Sequence, residues 1–337
     1  MNPFQYQRVT TSQAAITAIH TRGAKFLGGG TNLVDLMKND VEHPTALIDV
    51  SQLSATEVTG SAAGLRVGSG VRNSALANHP LVVANYPLLT HAILSGASAQ
   101  LRNMATTGGN LMQRTRCSYF MDTAFPACNK REAGTGCAAI QGFHRNFAIL
   151  GATNEGEHSA KTCIATNPGD MSVALYALDA QVELLGADGK SRTVPVTEFH
   201  RLVGDDPSKD TVLQPNELIV AVKLPTAKFA KHSWYLKARD RQSYAFALIS
   251  VAAGLEMDGG TIRSAGLALG GVAHKPWRSK EAEAALAGQP ANETTFHKAA
   301  DALLSGAKPL EQNAFKVELA KQCVVRALSQ AAKGVQA

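Results

Sequence analysis

The pattern of apolar and polar positions divides the chain into three stretches of different character. In the first 55 residues, short apolar runs alternate with segments of helical periodicity, which predicts a small α/β unit. The predicted elements are a helix capped by Ser12, strands at 25–27 and 46–50, and a second helix that begins at Thr31.

The second stretch runs from about residue 56 to about 225 and mixes both periodicities. Its predicted elements are a strand at 65–68, a helix at 86–104, a helix at 170–178, and a hairpin of 181–185 with 191–196 around Asp188-Gly189. Residues 111–166 interrupt this order with little periodicity and many Gly, Asn and Arg residues. A loop this long inside a compact domain is usually functional, and a bound cofactor would account for it.

After residue 225 the pattern changes again. Strand-like segments fill 233–271, including 245–252, and helical periodicity dominates from Glu281 onward. Strands followed by helices predict a separate α+β domain. The predicted division is therefore 1–55, 56–225 with the loop 111–166, and 226–337.

Composition excludes several classes of protein. The chain has 337 residues, of which 45% are hydrophobic and 18% charged, as in an ordinary globular protein. Its net charge is +6, but Lys and Arg are scattered without interleaved aromatic residues, so we expect no nucleic-acid partner. No apolar run is long enough to span a bilayer, and the N-terminus lacks the pattern of a secretion signal. We expect folding in the cytoplasm, with a periplasmic location requiring co-export with a partner.

Two glycine turns carry the first chemical signal. Gly28-Gly29-Gly30-Thr31-Asn32 joins a predicted strand to a predicted helix, and Thr106-Thr107-Gly108-Gly109-Asn110 follows another helix. Glycine lets backbone N–H groups approach a phosphate closely. Neither turn matches a dinucleotide fingerprint or a Walker loop, and each alone is equally consistent with a tight structural turn. Together they favour a dinucleotide cofactor.

Four of the five cysteines fall in the irregular loop. Cys117, Cys128, Cys137 and Cys163 are separated by 10, 8 and 25 residues. Structural zinc usually takes cysteine pairs two to four residues apart, and no such pair exists here. Widely spaced cysteines fit the four corners of a 4Fe–4S cluster better, while four unrelated thiols remain the alternative. Cys323 recurs with Phe315 and Leu319 at helical spacing, which predicts a buried helix residue.

The motifs occur together in the order found in one family. Residues 25–33, 105–111, 167–171 and 235–241 resemble the FAD-binding subunits of the molybdenum hydroxylases, the xanthine dehydrogenase and aldehyde oxidoreductase family. The cysteine loop, with 113–116 before it and 129–131 inside it, resembles the FAD subunits of bacterial periplasmic aldehyde oxidoreductases that carry an added 4Fe–4S cluster. The resemblance implies an α+β fold: a two-subdomain FAD-binding domain of the PCMH type followed by a C-terminal α+β domain of the CO dehydrogenase flavoprotein type.

The resemblance also implies roles for individual residues. The cysteines Cys117, Cys128, Cys137 and Cys163 would ligate the cluster. Asp170 would bond a cofactor hydroxyl, Ile219 would line the pocket, and Lys237 would approach the isoalloxazine ring. The pyrophosphate and adenosine side would be held by Lys25, Phe26, Leu27, Gly28, Gly29, Gly30, Thr31, Asn32 and Leu33. The other phosphate and the ribityl chain would be held by Thr106, Thr107, Gly108, Gly109 and Asn110.

The resemblance implies an electron-transfer subunit of a molybdenum-dependent aldehyde oxidoreductase. Its expected cofactors are FAD and a 4Fe–4S cluster. Its expected partners are a large subunit with the molybdenum cofactor, a small subunit with 2Fe–2S clusters, and an external electron acceptor. Two alternatives stay open: the same subunit type in an enzyme acting on an N-heterocycle or an aromatic thioester, and a zinc-stabilised nucleotide-binding module without redox function.

Several other side chains are predicted to be structural. His144, His158 and His232 are expected to have surface or packing roles, because the substrate chemistry of the family takes place on another subunit. Tyr235 is expected to pack. Lys237, Arg239 and Arg241 are expected to alternate along one strand and face one side, which is either a solvated face or a cationic face toward the flavin. The resemblance implies the flavin-facing role for Lys237 only.

Overall fold

The computed structural model describes residues 1–53 and 55–334, and the strands of this part of the chain form three sheets. The first sheet is parallel and has the order β1-β3-β2. Its unit consists of β1 (Gln5–Arg8), α1 (Ser12–Ala18), β2 (Ala24–Leu27), α2 (Leu33–Lys38) and β3 (Ala46–Asp49). The parallel pairing with helical crossovers is the α/β unit that the alternating pattern predicts.

The second sheet is antiparallel, with the order β4-β5-β8-β6-β7. Its strands are β4 (Val58–Ser61), β5 (Gly64–Gly68), β6 (Gln181–Leu185), β7 (Ser191–Pro195) and β8 (Leu218–Pro225). The helices of this stretch are α3 (Asn73–Ala77), α4 (Pro80–Asn85), α5 (Pro87–Ser95), α6 (Ala99–Met104), α7 (Thr107–Leu111), α8 (Ser118–Met121), α9 (Asp170–Ala177) and α10 (Val196–Phe199). The predicted hairpin is confirmed, and Gly189 adopts the positive φ of +74° that its turn requires.

The third sheet is antiparallel, with the order β11-β10-β9. It consists of β9 (Ser233–Ala238), β10 (Ile249–Asp258) and β11 (Thr261–Gly270), followed by α11 (Lys280–Ala284), α12 (Glu293–Leu304), a 3₁₀ turn (Glu311–Asn313) and α13 (Phe315–Lys333). α12 and α13 pack on this sheet in one apolar core. On the other side, α9 lies so close to β11 that a Cβ on Gly266 would be 2.1 Å from the carbonyl oxygen of Ala177.

Four predicted elements differ from the structure. The first helix is capped by Thr11 rather than Ser12, since the Thr11 hydroxyl accepts a hydrogen bond from the amide of Ala14. The second helix begins at Leu33 rather than Thr31. The single helix predicted at 86–104 is two, α5 and α6, and Ala97 between them has a φ of +52° that no helix tolerates. The strand predicted at 245–252 begins only at Ile249.

The predicted alternation along β9 is also wrong in part, because the strand ends at Ala238. Lys237 lies on it, whereas Arg239 and Arg241 lie beyond its end. Cys323 is buried on α13 as predicted, although Phe315, in the same proposed stripe, is 41% exposed. None of the helices within residues 1–53 and 55–334 combines the length and apolar character needed to cross a membrane.

Candidate functional site

The two glycine turns pack directly against each other. A Cβ on Gly29 would lie 1.9 Å from the carbonyl oxygen of Met104, and one on Gly28 would lie 2.8 Å from the hydroxyl of Thr106. Gly30 has a φ of +73°, a backbone conformation that residues with a Cβ rarely adopt. Glycine is therefore required in the first turn by its contact with the second turn and by backbone conformation.

The second turn is built around the start of α7. Thr106 caps this short helix, since its hydroxyl accepts a hydrogen bond from the amide of Gly109 at 3.1 Å. The hydroxyl of Thr107 donates to the carbonyl oxygen of Val71 at 3.0 Å and is fully buried. Ile219 lies behind this turn, 3.7 Å from the position of a Cβ on Gly108, and belongs to the core.

The turns open onto a cleft of about 430 Å³ that also reaches α9 and β9. Of the residues predicted to hold the cofactor, those on its wall are Gly30, Thr31, Asn32, Gly109, Asn110, Asp170 and Lys237. The others form the strand, the turn contact and the core behind the wall: Lys25, Phe26, Leu27, Gly28, Gly29, Leu33, Thr106, Thr107, Gly108 and Ile219. The side chain of Lys25 forms an ion pair with Glu42.

Several cleft residues carry no sequence motif that would have identified them. The break between α5 and α6 contributes Gly96 and Ala97, and the segment after β9 contributes Phe246. Asn73 and Arg116 also line the wall. These residues come from separate parts of the chain, so only the tertiary structure brings them together.

Polar atoms without protein partners converge on this cleft. In the described part of the chain, Nδ2 of Asn32, Oδ1 of Asn73, Oδ1 of Asn110 and Nε of Arg116 are buried and lack a hydrogen-bond partner. All four residues lie on the cleft wall. Buried polar groups in proteins are normally satisfied, so donors and acceptors gathered in this way fit a ligand rich in hydroxyl, phosphate and ring-nitrogen groups. The residues present therefore fit a flavin dinucleotide.

The far end of the cleft contains a buried ion pair. Asp170 begins α9, and its Oδ2 accepts a hydrogen bond from Nζ of Lys237 at 2.8 Å. The other carboxylate oxygen accepts a bond from the hydroxyl of Tyr235 at 2.8 Å. Nζ of Lys237 also donates to the carbonyl oxygen of Ser95 at 3.2 Å. The arrangement places one carboxylate and one ammonium group, both largely shielded from solvent, at the cleft.

All four loop cysteines are buried in one cluster of side chains. Cys128 and Cys137 face each other across an antiparallel bridge, and Cys163 forms a similar bridge with Thr153. The same apolar cluster contains Cys117, together with Phe120, Phe147, Ile164 and Val203. Cys323 lies in a different core. The structure thus brings together the four predicted ligands and separates the fifth cysteine from them.

Electrostatics confirms that these thiols are neighbours. Burial, with smaller contributions from the nearby Cys137 and Cys128, raises the pKa of Cys163 to about 12. Burial likewise raises the pKa of Cys117, with Cys163 and Cys128 adding to the effect. Within residues 1–53 and 55–334, no three His, Cys, Asp or Glu side chains converge on a site for a single metal ion.

Backbone amides near the cysteines oppose the rise in thiol pKa. The amides of Phe120 and Tyr119 lower the pKa of Cys117, against the larger effect of burial. The amide of Ile164, the residue after Cys163, does the same for Cys137. Amide donors of this kind stabilise thiolates, as they do around iron–sulfur clusters.

The basic residues of the loop already have protein partners. Arg114 pairs with Glu42 at 2.6 Å and with Asp210 at 2.8 Å, and Lys130 also pairs with Asp210. The positive charge of Lys130 nevertheless lowers the pKa of Cys163, so it also stabilises the thiolate form of that residue. Arg131 instead donates to backbone carbonyls, including that of Phe120 at 3.0 Å.

A second cavity of about 370 Å³ adjoins the cleft on the cysteine side. Arg116 and Asp170 line both spaces, and Cys117 lines the second. Arg116 also pairs with Asp35 and lies over the ring of Phe246 at 5.6 Å. The cleft and the cysteine cluster are therefore neighbours joined through one short segment of chain.

The three histidines singled out in the sequence lie away from this wall. His144 is buried, with Nδ1 3.0 Å from the carbonyl oxygen of Gly142, and His158 is exposed. Nδ1 of His232 lies 3.1 Å from the carbonyl oxygen of Ala331 on α13.

Comparison with known protein families matches nearly the whole chain. Residues 2–227 match the FAD binding domain in molybdopterin dehydrogenase, and residues 234–331 match the CO dehydrogenase flavoprotein C-terminal domain. The aldehyde oxidoreductase FAD-binding subunit PaoB of Escherichia coli (strain K12) is 49% identical over 333 residues, which cover 98% of this chain and 99% of that protein. The glyceraldehyde dehydrogenase medium chain of Sulfolobus acidocaldarius is 26% identical, covering 86% and 83%.

Solved structures show the same fold. A chain of carbon monoxide dehydrogenase from Hydrogenophaga pseudoflava superposes with a TM-score of 0.75 at 25% identity, covering 98% of this chain and 97% of that one. A chain of quinoline 2-oxidoreductase from Pseudomonas putida 86 gives a TM-score of 0.74 at 24% identity, covering 98% of both chains.

Proposed function

Because the chain belongs to the family of FAD-binding subunits of molybdenum hydroxylases, we propose that it is the FAD- and 4Fe–4S-containing electron-transfer subunit of a molybdenum-dependent aldehyde oxidoreductase. It would receive electrons from 2Fe–2S clusters of a partner subunit and deliver them to an external acceptor. The observation that carries this proposal is the cleft, where two glycine turns, unpaired buried polar atoms and the Asp170–Lys237 pair meet beside four buried cysteines.

FAD supplies a ring that exchanges electrons in steps of one or two when it is bound. The chain's own residues would bind and orient it. Asn32 and Asn110 offer unpaired amide groups from the two turns, and Arg116 offers a cation on the same wall. Asp170 retains acceptor capacity for a cofactor hydroxyl, since a carboxylate has about four lone-pair sites. Lys237 brings positive charge, which favours the reduced, anionic form of a flavin.

The cysteine arrangement supports the cluster. Ligation requires thiolates, and burial alone opposes ionisation of Cys117 and Cys163. The positive charge of bound iron would compensate for this, and the backbone amides that lower the pKa of Cys117 and Cys137 favour the same ionised state. Zinc needs four ligands that converge on one ion, and the described residues do not form such a site. The wide spacing of the four cysteines along the chain suits the separated corners of a multi-iron cluster, whereas structural zinc usually takes closely spaced cysteine pairs.

We also propose the partners and the domain division that the family implies. A large subunit with the molybdenum cofactor would oxidise the aldehyde, and a small subunit with 2Fe–2S clusters would connect it to this chain. The three units 1–55, 56–225 and 226–337 are supported by the three sheets and by the family boundaries at 227 and 234.

Cofactor analysis of cysteine variants tests the cluster. Each of Cys117, Cys128, Cys137 and Cys163 changed to Ser is expected to lower iron and acid-labile sulfide in anaerobically purified protein. Cys323→Ser is the matched control, since it removes an equally buried thiol from another core and should leave iron unchanged. Full iron content in any of the four variants, or iron loss in the control, would contradict the ligand assignment.

Flavin content tests the cleft. Gly109→Val adds a side chain to the wall beside the Thr106 cap and should give protein without flavin. Gly306→Val, where a Cβ meets nothing within 4 Å, is the control.

Purification of the native complex tests the partners. The isolated chain should not oxidise aldehydes, and robust aldehyde turnover by this chain alone would refute the subunit role.

A further inference from the structure

Tyr235 is part of a hydrogen-bonded chain that ends at the cleft. Its hydroxyl donates to Oδ1 of Asp170 at 2.8 Å, while Oδ2 of Asp170 accepts from Nζ of Lys237 at 2.8 Å. Tyr235 is only 7% exposed, and the side chains of Lys237 and Asp170 are 6% and 10% exposed. Tyr235 and Lys237 are two residues apart on β9, so they project to the same face of the strand.

The hydroxyl of Tyr235 is held as a donor by its surroundings. Burial and the negative charge of Asp170 both raise the pKa of Tyr235 well above its ordinary value, so the hydroxyl keeps its proton. The side chain of Ser250, which lies on β10 opposite Lys237, is close to the Tyr235 hydroxyl and partly opposes this rise in its pKa. Ser250 lines the second cavity, whereas Asp170 lines both spaces. Tyr235 and Lys237 therefore bond different oxygens of the same buried carboxylate.

A donor to one carboxylate oxygen changes what the other oxygen does. A hydrogen bond from a hydroxyl stabilises the ionised carboxylate and draws negative charge toward itself. Without that bond, the negative charge of Asp170 would be compensated by Lys237 alone. The ammonium group would then be more completely neutralised and would contribute less positive potential to the cleft.

We infer that Tyr235 is a positioning residue for the flavin, acting through Asp170 on the charge that Lys237 presents to the cofactor. This assignment rests on the proposed function, since it requires FAD in the cleft. The assignment gives a role in flavin binding to Tyr235, a residue that its buried position on β9 would otherwise identify as part of the packing.

A redox titration of bound flavin tests the assignment. In Tyr235→Phe, the ratio of reduced to oxidised flavin at a fixed applied potential should fall about tenfold, which corresponds to a midpoint potential about 30 mV lower for two electrons. Tyr86→Phe is the matched control. Tyr86 is 3% exposed and its hydroxyl donates to the carbonyl oxygen of Pro225 at 2.5 Å, outside the cleft wall. It should lose stability without a shift in potential.

A second background shows whether the effect passes through Lys237. Lys237→Met should itself lower the potential, and Tyr235→Phe should then cause no further shift. An unchanged potential in Tyr235→Phe, an equal shift in Tyr86→Phe, or additive shifts in the double variant would each overturn the assignment. If Tyr235→Phe does not fold, Ser250→Ala perturbs the same hydroxyl: a lower potential supports the assignment, and an unchanged one overturns it.

The outcome separates this assignment from the proposed function. Wild-type protein that binds no flavin would overturn the proposed function and this assignment with it. Wild-type protein that binds flavin, with a Tyr235→Phe potential equal to its own, would overturn this assignment alone.

Discussion

A missing side chain at position 29 is what lets the two turns of the cleft meet. Gly29 has no unusual φ, yet its Cα faces the backbone of Met104 and Ala105. Backbone atoms cannot move aside as the end of a flexible side chain can. The need for glycine here is therefore a matter of close approach, and the sequence motif alone does not distinguish this reason from phosphate binding.

Gly29→Ala is expected to destabilise the protein and to reduce its flavin content. The new methyl group would lie 1.9 Å from the Met104 carbonyl oxygen, so the turns must separate, at a cost of about 1–3 kcal/mol or more. Urea denaturation and flavin absorbance measure the two effects. Gly306→Ala, in open surroundings, should change neither. Wild-type stability in Gly29→Ala would show that the turns are not in contact.

His200 ties the second turn to the sheet behind it through a buried, neutral ring. Its Nε2 donates to the carbonyl oxygen of Leu111 at 2.9 Å, at the end of α7. Burial, with a smaller contribution from Lys275, lowers the pKa of His200 to about 4, although the Leu111 carbonyl and Asp210 oppose the shift. In the unfolded chain the same ring has a pKa of about 6.5.

Stability should therefore fall as the pH falls from about 6.5 toward 4. In this window the unfolded state binds a proton that the folded state excludes, which costs about 1.4 kcal/mol per pH unit and about 3 kcal/mol in all. Above about pH 6.5, His200 contributes no pH dependence. Urea denaturation across pH 5 to 7.5 measures the slope, and His200→Gln should reduce it by about one proton. An identical slope in His200→Gln would place the acid sensitivity elsewhere.

At the scale of elements, the apolar periodicity of the sequence predicts those helices and strands whose formation depends on nearby residues. The parallel first unit, the Asp188-Gly189 hairpin and the terminal helices follow from apolar spacing and turn residues. The break at Ala97 is different. Ala97 has a positive φ next to Gly96, which packs against Asp170: a Cβ on Gly96 would lie 2.9 Å from the carboxylate. Such a contact between distant parts of the chain cannot be predicted from helix propensity. Tyr235 was likewise assigned to packing because its partner is 65 residues away.

The irregular loop owes its shape to an element from the C-terminal end of the chain. Residues 308–316, which we call the C-terminal clasp, bind the loop through polar contacts. The amide of Lys308 donates to the carbonyl oxygen of Ile149 at 2.7 Å, and Nζ of Lys316 donates to that of Phe147 at 2.8 Å. Nδ2 of Asn313 donates to Phe147 and Ala148 at 3.3 and 3.2 Å. The clasp thus satisfies backbone groups that the loop cannot satisfy itself.

Asn313→Ala is expected to destabilise the chain by about 2–6 kcal/mol. The residue is fully buried, and its loss strands the carbonyl of Ala148 and the amide of Leu310, at about 1–3 kcal/mol each. Urea denaturation gives the free energy of unfolding, and hydrogen exchange should accelerate in residues 142–149. Gln322→Ala on the exposed side of α13 is the control. Unchanged exchange at 142–149 would contradict the role of the clasp.

At the scale of the whole molecule, the cysteine loop connects the three units. Arg114 joins it to the first unit through Glu42 and to the second through Asp210. The clasp joins it to the third. The amide of Arg114 also donates to Oδ1 of Asn32 at 3.1 Å, so the loop directly orients a residue of the first glycine turn. The four buried cysteines and the cleft therefore share structural supports.

Loss of the proposed 4Fe–4S cluster should consequently weaken FAD binding. Without ligation, no bonds would join the four cysteines to one another, and the loop would hold Arg114 and Arg116 less firmly beside Asn32 and Asp35. A cleft that must be ordered at the moment of binding loses affinity, here on the order of tenfold, or about 1.4 kcal/mol. Quenching of FAD fluorescence by flavin-free Cys163→Ser protein measures this affinity, with flavin-free Cys323→Ser as the control for loss of a buried thiol. Cys163→Ser protein that lacks iron yet binds FAD as tightly as Cys323→Ser would show that the two sites are independent.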